Sequence, residues 1–153
     1  MNTDELLTKS YWVADFLPEQ VPKYSAGQFS AIEQFYLREP QLSELRKKFL
    51  NIVLKLNCFY DISVLTYPKG DMDMEGAEGD MEKAEVNPDP EKMYAFFVGE
   101  NAAECVQVFV KNEDTLIVSN KDDTCIAIYN PAERVLTMIR RLAEAEGLFV
   151  WKP

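Results

Sequence analysis

Along the first sixty residues, apolar positions recur at helical spacing. Phe29, Ile32, Phe35 and Tyr36 share one side of a helix ending near Arg38. Ahead of them, Ser25-Ala26-Gly27-Gln28 has the S-x-x-Q form of a capping box, in which a serine hydroxyl and a glutamine side chain satisfy free amides. Pro40 suits a first helical position, and Leu42, Leu45, Phe49, Ile52, Val53 and Leu56 then trace an i, i+3, i+4, i+7 stripe. This predicts a helix over 40–58, with Glu44, Arg46, Lys47, Lys48 and Lys55 on its solvent side. A short helix over 3–9, capped by Thr3, precedes it. Between the two, Pro18 and Pro22 favour an extended connector over a helix. Its large apolar side chains, Tyr11 to Leu17, are expected to wrap the domain. The other reading makes them an exposed patch for self-association or a partner.

Near Tyr60 the period changes from helical to alternating. Asp61 to Thr66 is rich in β-branched residues and reads as a strand, closed by Pro68 and Gly70. Met93–Val98, Cys105–Lys111, Thr115–Ser119 and Thr124–Tyr129 are short apolar runs separated by polar turns, the spacing of an antiparallel meander. Asn130-Pro131-Ala132-Glu133 then supplies a cap, a proline and an acidic residue to start a helix. That helix carries Val135, Leu136, Ile139, Leu142 and Ala143 on one side and stops at Gly147, before a last strand over 148–151. The pattern predicts an α+β fold in a single domain over 1–153. N-terminal helices are followed by a mainly antiparallel sheet of five to six strands, covered by the C-terminal helix.

Composition narrows the class. A chain of 153 residues, 47% hydrophobic and 12% aromatic, belongs to the globular regime. No apolar run reaches the length of a membrane span, the N-terminus is acidic rather than signal-like, and the three cysteines follow no disulfide or metal spacing. These features predict a cytoplasmic protein with reduced, mostly buried Cys58, Cys105 and Cys125. The net charge of −10 is unevenly placed, since residues 71–91 hold nine Asp/Glu against Lys83 alone. Neither a globally acidic nucleic-acid mimic nor a basic nucleic-acid binder has that distribution.

Candidate chemistry is sparse. Within the long acidic loop expected over 68–91, Asp71, Asp73, Glu75, Gly76 and Glu82 resemble the spacing of a calcium-binding EF-hand loop. Glu75 is long for its position, Glu78 replaces an apolar anchor, and Pro68 and Gly70 break any entering helix, so a solvated loop or a binding loop for a basic partner is the better reading. The chain has no histidine, which removes the commonest general base and histidine-ligated zinc. It has no phosphate-binding glycine motif either. Asp15 with Glu19, and Asp122 with Asp123, are carboxylate pairs in connector and turn. Arg46, Lys47, Lys48 and Lys55 read as a solvated cationic face, and Arg140 with Glu144 as an ordinary helical pair. No catalytic, cofactor or metal residue is assigned. The expected function is a non-enzymatic interaction protein that neutralises a basic partner, binding neither nucleic acid nor membrane. The alternatives are a carboxylate-dependent enzyme with a cleft between helices and sheet, or a weak calcium-binding loop protein.

Overall fold

The computed structural model describes residues 2–24, 27–68 and 84–153. In chain order the elements are α1 (Thr3–Leu6), β1 (Tyr11–Asp15), α2 (Phe29–Tyr36), α3 (Gln41–Leu56), β2 (Ile62–Tyr67) and β3 (Glu85–Val86). They continue as α4 (Pro90–Phe97), β4 (Cys105–Val110), β5 (Thr115–Asn120), β6 (Cys125–Tyr129), α5 (Glu133–Ala145) and β7 (Phe149–Trp151). The architecture is α+β, with a seven-stranded antiparallel sheet in the order β3-β2-β4-β5-β6-β1-β7.

The sheet therefore exceeds the expected five to six strands, and the helices do not all precede it. Two local misreadings account for this. Tyr11–Asp15 is a strand between β6 and β7, because Pro18 and Pro22 lie beyond its end and leave its ladder intact. Met93–Val98, expected as a strand, lies almost wholly in α4. Asp89 caps that helix by accepting from the Lys92 amide at 2.8 Å, and Pro90 occupies its first turn. Residues 84–91, assigned to the acidic loop, instead hold β3 and the start of α4.

Caps differ in detail too. Asn2, rather than Thr3, caps α1, its side chain accepting from the Glu5 amide. Ala132 occupies the cap position of α5, while Asn130 sits at φ 52° and donates its side-chain amide to the Asp114 carbonyl at 2.8 Å. The Ser25–Gln28 capping box falls partly outside the described residues, and Gln28 makes no side-chain cap bond.

Register fixes the faces of the sheet, since paired residues point the same way. Val64, Val108 and Ile117 form one cross-strand row, and Ile128 and Trp12 continue it through β6 and β1. This face shares one apolar cluster with Phe49, Ile52, Val53 and Leu56 of α3, Met93 and Phe97 of α4, and Val135, Ile139 and Ala143 of α5. On the opposite face run Leu65, Gln107, Val118, Ala127, Val13 and Trp151. There α1 lies against β5, with Leu6 and Thr3 buried. Among the described residues no helix is long and apolar enough to cross a membrane.

Candidate functional site

One end of the sheet gathers the C-termini of β2 and β5, the N-terminus of β4, the start of α3 and the end of α4. Two clefts open there. The first, of about 470 Å³, is lined in part by Thr66, Phe96, Asn101, Ala103 and Glu104. The second, of about 510 Å³, is lined by Glu39, Leu42, Ser43, Gly99, Glu100 and Lys121. Glu100 and Lys121 line both, so the clefts flank the turn that leads from α4 into β4. Gly99 makes this turn possible, because its φ of +103° lies where side-chain-bearing residues are rare.

Arg46 lies in the packed layer at this end. Its position on α3 falls on the apolar stripe rather than among the solvent-facing cations, and it is only 1% exposed. Its Nε–H donates to the Phe97 carbonyl at 2.9 Å, which satisfies a C-terminal carbonyl of α4. Nη1 donates to the Ser119 hydroxyl at 2.6 Å, and the guanidinium carbon lies 5.1 Å from the centre of the Phe97 ring. Nη2 has no partner, and none of the ion pairs among the described residues involves Arg46. Burial lowers its pKa to about 10, against the opposing influence of Cys105 and Glu104, so the enclosed group stays a cation at neutral pH.

The rest of the expected cationic face divides. Lys47 and Lys55 are exposed, Lys48 is half-buried, and Lys55 pairs with Glu146 at 3.6 Å. Sequence reasoning grouped Arg46 with these lysines by charge. Its spacing from Leu42, Phe49 and Leu50 was the signal that it points inward. Arg140 stacks 4.6 Å over Trp12 rather than joining Glu144.

A second feature is α2. None of its residues is buried, and its apolar stripe faces water, with Phe29, Ile32 and Phe35 exposed by 37%, 45% and 43%. Tyr36 turns inward, stacking on Phe16 with ring centres 5.0 Å apart. Tyr24, just upstream, is 93% exposed. The aromatic segment 11–17 is mostly in the fold, with Val13 and Ala14 buried and Trp12 and Phe16 half-buried.

The candidate carboxylates are not brought together as the sequence pairs suggested. Asp15 ends β1, half-buried, with Oδ1 lacking a partner, while Glu19 is exposed in the segment beyond. Desolvation raises the pKa of Asp15, the amides of Leu17 and Phe16 pull it down, and Glu33 of α2 adds repulsion. Asp122 and Asp123 occupy the β5–β6 turn, where Asp123 accepts from the Asn120 side chain at 3.2 Å. Cys105 is buried and Cys125 half-buried, but Cys58 is exposed at the end of α3, which corrects the expectation of three core thiols. Asp71, Asp73, Glu75 and Glu82 lie outside the described residues. Among the described residues no group of three Cys, Asp or Glu side chains is placed to hold a metal ion. Comparison of the chain with protein families, characterised proteins and solved structures finds no match.

Proposed function

We propose that this protein is a single-domain, cytoplasmic, non-enzymatic interaction protein that binds a basic protein partner. The reading rests on α2. An amphipathic helix is stable in a globular protein because its apolar stripe is buried. Here Phe29, Ile32 and Phe35 are all left partly exposed instead, and Tyr24, earlier in the chain, is exposed as well. Clustered exposed aromatics of this kind mark surfaces that a partner covers. The net charge of −10 makes a second copy of the chain an unfavourable occupant and a cationic surface a favourable one. The acidic residues 71–91 would then steer that partner toward the apolar anchor.

Affinity capture from host lysate with three baits tests this: the intact chain, Phe29→Ser/Ile32→Ser/Phe35→Ser, and a chain with residues 70–90 replaced by a Gly/Ser linker. The expected result is a basic protein retained by the intact chain, lost by the triple variant and held more weakly, in a salt-sensitive way, by the linker variant. Equal capture by the intact chain and the triple variant would remove α2 from the interaction. Capture of nothing would overturn the reading.

A further inference from the structure

A small cavity of about 170 Å³ lies where α2, α3, the end of β1 and the turn from α5 into β7 meet. Gln41, Leu45 and Lys48 recur at i, i+4 and i+7 along α3, so they share the side of that helix that forms one wall. Tyr36 of α2 and Phe16, just beyond β1, contribute two rings with centres 5.0 Å apart and planes 50° from one another. Gly147 follows α5 at φ +73°, which lets the chain turn back at once and bring the buried Leu148 to the cavity. Nothing lies within 4 Å of where a side chain would begin at Gly147, so this wall leaves room.

The walls and their charge select a class of ligand. Phe16, Tyr36, Leu45 and Leu148 make an apolar body. An apolar cavity of about 150 Å³ is large enough to hold one benzene ring. Two tilted rings also offer the edge and face contacts that a third ring prefers. Of the described lining residues Lys48 alone is charged, and no carboxylate joins it. Glu44, one turn earlier on α3, is exposed and forms no ion pair with it. Among the described residues neither the Lys48 ammonium nor the Gln41 side-chain amide has a hydrogen-bond partner or counter-ion. Both side chains are half-buried, so they stay reachable. Two free donors, one of them cationic, suit the two oxygens of a carboxylate. We infer that this cavity binds a single-ring aromatic carboxylate, its ring against Phe16 and Tyr36 and its anion on Lys48 and Gln41. The site does not depend on the interaction reading, which rests on Phe29, Ile32 and Phe35.

The test is an amide NMR titration of the full chain at pH 7 with benzoate, benzamide and acetate at matched ionic strength. Expected are benzoate shifts at Tyr36, Gln41, Lys48 and Gly147 that saturate. Benzamide should move the same residues but bind about tenfold more weakly, the loss of one charge-assisted contact. Acetate, which has the charge without the ring, should give no saturating shifts. Lys48→Gln should melt like the parent and lower benzoate to the affinity of benzamide, leaving benzamide itself unchanged. That combination separates a lost ammonium from a damaged cavity. Benzoate shifts that fail to saturate, that acetate reproduces, or that keep their advantage over benzamide in Lys48→Gln would overturn the assignment.

Discussion

Single residues show how burial, rather than type, sets chemistry in this protein. Burial pushes the Cys105 thiol up to about 11, partly offset by Arg46, and pushes Cys125 up to about 12, with Asp15 adding to the effect. Thiolate is the reactive form, so both should be inert near neutrality, whereas Cys58 is exposed. Ellman titration of the native protein at pH 8 should release one equivalent rapidly and all three only in denaturant. Two fast equivalents would contradict the packing around β4 or β6. Asp15 gives a pH test. Its folded pKa lies above its ordinary value because of desolvation, so the folded state holds the proton more tightly than the unfolded chain. This favours folding below the unfolded pKa of about 3.9, and the advantage is lost as pH rises through the folded value. Asp15→Asn should accordingly be more stable than the parent at pH 7, by a fraction of a kcal/mol because solvent screens a half-exposed carboxyl. Urea denaturation at pH 7 and pH 3 should show that gain shrinking or vanishing in acid.

At the scale of elements, α2 and α3 carry the same sequence signal and use it oppositely. Phe29, Ile32 and Phe35 recur at helical spacing as regularly as Leu45, Phe49 and Ile52 do, yet only the second set is buried. Periodicity reports which side of a helix is apolar, and the partner for that side is a tertiary fact. Serine at Phe29, Ile32 or Phe35 should each cost less than about 1 kcal/mol, against about 3–5 kcal/mol for Phe49→Ala. Chemical denaturation of the four variants checks this, and a large loss at Phe35 would mean that α2 is packed after all. The helices over 41–56 and 133–145 and the strands from Ile62 and from Cys105 onward were legible, because each has a long stripe or a clean alternation between turns. The signal for the start of α4 stood in Asp89-Pro90-Glu91, but those residues were assigned to the acidic loop and the apolar run Met93–Val98 was read by itself as a strand. The buried end of the sheet could not be foreseen in the same way. Nothing local in the sequence brings Gly99 and Lys121 beside Ser43.

At the scale of the molecule, the sheet is closed by its most distant segments. β1 pairs with Cys125–Tyr129 on one side and Phe149–Trp151 on the other, so both partners of the N-terminal strand come from the far end of the chain. β6 and β7 run parallel to one another, since each is antiparallel to β1, and α5 makes the crossover between them. The same α5 brings Val135, Ile139 and Ala143 into the apolar cluster, and Trp151 ties β7 to the segment after β1 by donating to the Leu17 carbonyl at 3.0 Å. Topology of this kind is invisible to periodicity, which yields elements and not neighbours. It also makes the fold depend on non-local contacts that must form together. A chain ending at Pro131 would keep β1 through β6 but lose these α5 side chains and the partner strand of Val13 to Asp15. We expect it to lose cooperative unfolding in thermal or urea melts followed by circular dichroism, and to expose the edge of β1 to aggregation. A truncated chain that melted in one sharp step, within about 2 kcal/mol of the intact protein, would mean that the β1–β6 portion is a folding unit by itself. In that case β1 would be held by β6 alone, and β7 with α5 would be an addition to the core rather than part of its closure.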